Sequence, residues 1–381
     1  MARAMSALAG TEPHPHARAV LGAALAGAAS HAYLFHGPAG GGKRAVARNL
    51  AAGLLAEGAA EPESARARVQ SGAHPDLTWV RPSGAAEMLV SDIDEAVVAA
   101  AARTPFEAGR RVFVIERAET LNDAAANRML KTLEEPAAYV HLVLITDRLG
   151  EVLPTIVSRC QLVRFDALGL EEVAGRLGRH GVPPEQAVAC ARLALGDGDR
   201  ALELALGDGA ALRAAAEGLA RAVLSDTLSD RPWLELLVVA RRRGERVAAE
   251  MGEELTATLE ITSQKDRRRI ENEHTERARR TRRRVETQAL DLGLQLVGLW
   301  FRDLACHAWG APELAAHADR AGTLAHDAAG RDPQRLTAGL ELVEETRRRL
   351  SLNVSEELAC EALSYRLART LAPAGGVAAD V

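Results

Sequence analysis

Residues Val112–Cys160 read VFVIERAETLNDAAANRMLKTLEEPAAYVHLVLITDRLGEVLPTIVSRC. The run Val112-Phe113-Val114-Ile115 is continuously apolar and flanked by charge, the pattern of a strand covered on both faces. Ala124, Met129, Leu130 and Leu133 then recur around polar Asn127 and Lys131, which predicts a helix. Pro136 stops it, because proline has no N–H to donate and steers Glu135 out of the helical region. A second apolar run, Val140-His141-Leu142-Val143-Leu144-Ile145, predicts another buried strand and ends on the polar pair Thr146-Asp147. Strand, helix, strand is a βαβ unit, and such sheets bind ligands at the carboxyl ends of their strands.

Upstream, the short apolar segment His31–His36 runs into Gly37-Pro38-Ala39-Gly40-Gly41-Gly42-Lys43-Arg44 and then a helical pattern. This is G-x-x-x-x-G-K between a strand and a helix, the context of a phosphate-binding loop. Glycines let backbone N–H groups wrap an anion, the helix N-terminus adds partial positive charge, and Lys43 is placed to reach the outer phosphates. The loop motif ends on Ser or Thr, whose hydroxyl holds Mg²⁺. Arg44 stands there instead, and a guanidinium has no acceptor atom for a metal.

MLKTLEEP (Met129–Pro136), followed at this distance by Ser158-Arg159-Cys160, resembles the clamp-loader subunits of the AAA+ class. The resemblance implies an α/β plus all-α architecture. An AAA+ P-loop core with a parallel sheet would occupy residues 1–166, a small helical lid 167–224, a helical collar that oligomerises 225–372, and a disordered tail 373–381. In active ATPases of this class the strand here read at Val112 ends Asp-Glu-Ala-Asp or similar, to organise Mg²⁺ and polarise the attacking water. The corresponding residues are Glu116-Arg117-Ala118-Glu119. Glu116 still offers a carboxylate, but Arg117 cannot serve as a general base. Thr146 sits where relatives place a polar sensor, with a plain strand-end hydroxyl as the alternative. Arg200, in Gly198-Asp199-Arg200-Ala201, sits where lids carry a second sensor, with a solvated helix-start arginine as the alternative. Gly37, Gly42 and Lys43 thus read as the intact part of a nucleotide site whose catalytic part is damaged at Arg44 and Arg117.

In clamp loaders the arginine of the Ser-Arg-Cys triplet projects into a neighbour's ATP, so the resemblance implies that Arg159, flanked by Ser158 and Cys160, is an arginine finger acting in trans. A local surface ion pair is the competing fate of Arg159, and Cys160 reads as a small buried spacer. The implied role is a stator. Such a chain hydrolyses no ATP itself, packs beside motor and clamp-opening subunits, and helps load a sliding clamp on primed DNA. No cofactor is required on this reading, with residual ATP or ADP binding without turnover left open. An active motor ATPase of the same machine, and a structural interaction protein on a P-loop fold, are the alternatives.

Composition agrees with a multidomain globular chain. At 381 residues, two or three domains are expected, and 48% hydrophobic residues supply their cores. A net charge of −5 gives no global basic field, so any nucleic-acid contact must be a local patch. Cys160, Cys190, Cys306 and Cys360 are scattered, which excludes a paired-cysteine zinc site and fits a reducing, cytoplasmic location. The segment Glu57–Pro75, where many bacterial relatives insert a four-cysteine zinc module, has no cysteine and reads as polar and irregular, with His74 a loop residue. No apolar run is long enough to span a bilayer, and the N-terminus lacks the apolar core of a signal peptide.

Elsewhere the patterns predict a helix over Ala17–Ala29, a strand over Leu77–Val80, a helix from an N-capping Ser91 to Arg103, and alanine-rich helices over Leu170–Arg179, Pro184–Leu195 and Asp199–Leu206. Further core helices lie at Trp233–Val238, Leu290–Leu304, around Leu336–Val343, and over Leu358–Leu367. Between them, Lys265–Glu286 carries ten basic residues against five acidic ones. It has no face to bury, so it is a solvated helix, a mobile arm or a phosphate-contacting surface.

Overall fold

The computed structural model describes residues 7–82, 88, 90–260, 264–350 and 354–372. The chain forms two compact units, Met1–Val173 with Gly196–Asp199, and Ala174–Leu195 with Arg200–Val381.

The first unit is built on a five-stranded sheet in the order β2-β3-β4-β1-β5. Its strands are β1 (Ala32–His36), β2 (Leu77–Val80), β3 (Arg111–Glu116), β4 (Val140–Ile145) and β5 (Gln161–Arg164). All pair in parallel, with Ala32 opposite Leu142, Tyr33 opposite Gln161, Leu77 opposite Val112 and Arg111 opposite Val140. Alternate residues of each central strand enter different cores, which is why those strands are apolar without interruption. Leu34, Phe113, Ile115, Leu142 and Leu144 pack with Met129 and Leu133 of the helix Asp123–Glu134 and with Ile156. Tyr33, Phe35, Val112, Val114 and Val143 pack with Val46, Leu50 and Leu54 of the helix Lys43–Ala56.

Several local expectations change. Strand β5 escapes the hydrophobic pattern because, on a sheet edge, only Val163 is buried. The irregular Glu57–Pro75 contains a helix, Pro62–Ser71, started by proline at its first turn, ended by left-handed Gly72, and anchored through buried Ala65 and Val69. Two apolar contacts four residues apart suffice for a short helix, and the surrounding charge hides them. The helix expected from Ser91 already includes Val90, runs on as a wider turn over Asp94–Ala99, and so is not capped at Ser91. In the Asp123–Glu134 helix it is Ala125 and Ala126, not Ala124, that join Met129 and Leu133 inside.

The second unit is helical, with Pro184–Ala194, Gly209–Leu224, Trp233–Glu260, Gln264–Ala308, Ala321–Ala328, Pro333–Leu350 and Glu356–Leu371 among its elements. Trp233, Leu236, Leu290, Leu294, Trp300, Phe301, Leu336, Val343, Leu363 and Leu367 form its interior. Arg347 braces it with a two-pronged pair to Asp291, both contacts at 2.9 Å. Lys265–Glu286 lies within the single helix Gln264–Ala308. Residues 351–353 and the tail 373–381 lie outside the described residues. No described helix is long and apolar enough to cross a membrane.

Candidate functional site

β1 delivers the chain into the glycine loop, and Lys43 opens the following helix. Gly37 and Gly40 have positive φ, and a Cβ at either would collide: with Phe165 O at 2.0 Å for Gly37, and with Asp197 Oδ1 at 2.1 Å for Gly40. Gly42 takes the left-handed position just before the helix, at φ 80°. Lys43 is buried, and its Nζ donates to Gly37 O at 2.7 Å and Pro38 O at 2.5 Å while pairing with Asp147 Oδ1 at 2.7 Å. The cation is therefore already delivered to the loop it would serve, held by groups a phosphate would replace.

His14 ties the loop from outside. Its Nδ1 accepts from Asp166 N–H at 3.1 Å, which leaves Nε2 to donate to Gly41 O at 2.7 Å. Acceptance at Nδ1 needs the neutral ring, and burial pulls the His14 pKa below the usual histidine value although the bond to Gly41 O opposes the shift.

The metal half of the site is filled by protein cations. Arg44 Nε pairs with Glu116 Oε2 at 2.9 Å, and Glu116 Oε1 accepts from Trp79 Nε1 at 2.6 Å and Arg81 Nε at 3.0 Å. Glu116 is buried. The position that in this loop motif supplies a hydroxyl oxygen thus supplies a guanidinium, aimed at the carboxylate that would face the same metal. A divalent cation there would have to displace Arg44 from Glu116, so the residues present do not fit one. Beside it, Arg117 adopts a left-handed conformation, φ 57°, with its Nε 3.7 Å from Glu119 Oε1. Glu119 accepts from Thr146 Oγ1 at 2.7 Å, and Thr146 Oγ1 accepts from Arg148 N–H at 3.0 Å. Glu119 is thereby occupied in positioning the Thr146 hydroxyl. Glycine loop, Lys43, Glu116 and Thr146 converge at the carboxyl ends of β1, β3 and β4, as the sheet topology requires.

The Ser-Arg-Cys triplet sits between the short helix Pro154–Val157 and β5. Arg159 is held by Glu134, the last residue of the Asp123–Glu134 helix, through Nε at 2.9 Å and through a second contact from Nη2. Its Nη1 also donates to Thr155 O at 2.9 Å and Ser158 Oγ at 3.2 Å. In the isolated chain Arg159 therefore has the local ion pair, with a third of its side chain (33%) exposed. Desolvation pushes the half-buried Cys160 thiol up to about 12, which suits a spacer and not a nucleophile. Arg200 lies in the second unit, its Nη1 3.4 Å from Ala194 O.

Reading the sequence assigned no role to five participants. Asp147 and Glu134 stand inside the motifs and announce themselves only as charge, whereas His14 and the Trp79–Arg81 pair come from distant segments and carry no local signal. His74 lies in a loop, as expected, but it is not exposed there. It is buried, with Nδ1 accepting from Asp76 N–H at 3.2 Å and Nε2 3.2 Å from Glu107. Among the described residues no group of three or more His, Cys, Asp or Glu is arranged to hold a metal ion.

A parallel sheet of this order, with a glycine loop after β1 and polar strand ends facing it, defines a P-loop core of the AAA+ class. Comparison with known proteins narrows the class. Residues 16–169 match the family described as "DNA polymerase III, delta subunit". The chain is 39% identical over 162 residues to DNA polymerase III subunit delta′ of Bacillus subtilis, covering 42% of this chain and 49% of that one. It is 41% identical over 136 residues to the subunit delta′ of Pseudomonas aeruginosa, 34% of this chain and 42% of the relative. Subunit tau of Bacillus subtilis is 30% identical over 158 residues, 39% of this chain and 27% of tau. The matched stretches thus span half or less of these relatives. A solved gamma-subunit-related protein of Thermotoga maritima aligns over 94% of this chain and all of its own (100%), with a TM-score of 0.45 and 17% identity. Over its first unit the chain is thus similar to subunits of DNA polymerase III, and the subunit it most resembles in these comparisons is delta′.

Proposed function

We propose that this chain is a delta′-type stator of a bacterial clamp loader, with no ATP turnover of its own and with Arg159 acting on a neighbour's nucleotide. The observation that carries the reading is the Arg44–Glu116 ion pair, at 2.9 Å, across the place where a P-loop ATPase binds its metal. Arg117 adds a second, independent lesion, since no guanidinium can accept a proton from water. An intact loop with Lys43 delivered to it leaves a nucleotide site that binds phosphate without hydrolysing it, and no cofactor or zinc is needed. Residues 167–224 then serve as the lid and 225–372 as the oligomerising collar. The partners are gamma/tau motor subunits and a delta subunit in a cytoplasmic hetero-oligomer that handles a sliding clamp and primed DNA. In this assembly Arg159 exchanges Glu134 for the phosphoryl oxygens of the adjacent motor's ATP, a more concentrated negative charge.

The test is steady-state ATP hydrolysis by the reconstituted loader with clamp and primed DNA, comparing wild type with Arg159→Ala, and the isolated chain as a blank. A silent blank is expected, with a drop of about 10³ or more at the affected motor site, read as a clear fall in the rate of the whole loader because only one of several motor sites is affected. Turnover by the blank would instead support a gamma/tau-type motor, and an unchanged rate with the variant would leave only a scaffold.

A further inference from the structure

The helices Trp233–Glu260 and Gln264–Ala308 pack along each other in the second unit, and their outer part forms a two-helix projection. Its neck is at Gly244, where a Cβ would run into the Glu286 side chain and force it to move, so the two helices approach closely there. Beyond the neck the half-buried residues recur at helical spacing, Val247, Met251, Leu255 and Leu259 on one helix and Ile270, His274, Ala278 and Thr281 on the other, the pattern of a narrow seam. None of the described side chains between 247 and 281 is fully buried, as expected of two helices that cover only each other.

Away from that seam the second helix is basic. Between Glu276 and Glu286 it carries Arg277, Arg279, Arg280, Arg282, Arg283 and Arg284 with no acid among them. Two of these brace the neck: Arg282 pairs with Glu286 at 2.7 Å and Glu245 at 3.3 Å, and Arg283 with Glu356 at 3.1 Å. Arg277, Arg279 and Arg280 are exposed, and Arg280 Nε turns only to the backbone of its own helix, Glu276 O, at 3.2 Å. At 1.5 Å of rise per residue the whole cluster fits within about 10 Å of a rigid rod. In a chain of net charge −5 this is a local concentration of guanidinium groups, which prefer phosphate.

We infer that the outer face of this projection, centred on Arg277, Arg279 and Arg280, is a contact surface for the phosphate backbone of duplex nucleic acid. Residues 241–286 contain no Phe, Tyr or Trp, and their one histidine, His274, is half-buried, so the exposed arginine face offers an unpaired base no ring to stack on. Among the described residues the face carrying Arg277, Arg279 and Arg280 also offers no large apolar anchor for insertion between lipids. A straight helix with arginines over one arc matches a linear polyanion read without regard to sequence. The surface lies on the hairpin alone, and its test does not depend on the state of the nucleotide site.

The measurement is fluorescence anisotropy of a labelled duplex of about 30 base pairs of arbitrary sequence with the full chain, between about 50 and 200 mM salt. Wild type is compared with Arg277→Ala/Arg279→Ala/Arg280→Ala and with the corresponding triple lysine variant, all matched in helical content by circular dichroism. Each phosphate contact contributes about 0.9 to the slope of log affinity against log salt, so the alanine variant should bind about tenfold more weakly at low salt, with the slope reduced by about 2 to 3. The lysine variant should keep most of both. Equal binding by the alanine variant overturns the proposal. So does an absence of duplex binding by wild type at low salt, or tighter binding to phosphatidylserine vesicles or poly-glutamate than to duplex.

Discussion

Arg44 stands on the helix after β1 and Glu116 at the end of β3, and neither is unusual until the sheet sets them 2.9 Å apart. Trp79 and Arg81 complete the enclosure of that carboxylate, so Glu116 receives three donors on about four lone-pair sites, two of them guanidinium groups that a metal would have to face. Replacing Arg44 by the hydroxyl that the motif calls for removes one lesion and leaves the other. The isolated chain carrying Arg44→Thr should therefore remain at the blank rate of ATP release of phosphate. Turnover at about 1 per second, the lower end of ordinary enzyme rates, would show that Arg117 is no obstacle. Asp76 illustrates the same accounting in a structural role. It is buried and accepts the N–H groups of Phe106, Glu107 and Ala108 at 2.6, 3.0 and 2.9 Å, which locks the turn before β3.

Between elements, the pair of motifs that marks this chain turns out to be one physical unit. MLKTLEEP ends the helix Asp123–Glu134, Ser-Arg-Cys precedes β5, and Glu134 joins Arg159 to close the gap between them. An exposed pair of this kind contributes about 1 kcal/mol or less. Its removal therefore distinguishes a structural arginine from one delivered to a partner. Glu134→Ala should shift the denaturation midpoint of the chain little and leave the turnover of the reconstituted loader within about twofold of wild type, where Arg159→Ala lowers it strongly. Equal losses from the two variants would mean that the ion pair itself, and not delivery in trans, is what the assembly needs. The helix Gln264–Ala308 shows how one element can hold two environments: its second half is core, at Leu290, Leu294 and Phe301, and its first half is an exposed, arginine-rich rod.

At the scale of the molecule, the histidines tie stability to pH. Burial is the leading cause that pulls His14, His36, His74 and His141, all in the first unit, below the ordinary histidine value. Above about pH 6.5 these rings are neutral folded or unfolded and add no pH dependence. As the pH falls below that, the unfolded chain takes up protons first and stability drops until the folded pKa values are passed. Asp76 acts over a lower range. Burial raises its carboxyl, the three N–H donors outweigh that, and the net shift is down, so its stabilisation persists until the pH falls through the folded value, below about 3.9. The urea midpoint of the full chain should accordingly be lower at about pH 5.5 than at about pH 7.5, and His14→Asn should narrow the difference. A midpoint that rises on acidification contradicts this reading of the buried rings.

Periodicity alone was enough to place β1 to β4, the helices around them and the alanine-rich helices that follow, because burial on two faces or one stripe writes itself directly into the order of apolar residues. The glycine loop, Lys43, and the anomalies at Arg44 and Arg117 were legible for the same reason: each is a local chemical requirement met or broken within a few residues. Edge strand β5 and the helix Pro62–Ser71 were not, since one or two buried side chains leave no period to detect. Tertiary structure alone decided which charges meet. That Arg44 neutralises Glu116, that Glu134 holds Arg159, and that His14 fastens Gly41 to Asp166 are contacts between segments far apart in the chain. A charged side chain declares its sign in the sequence, but its partner is selected by the sheet order and the turns that bring the strand ends together.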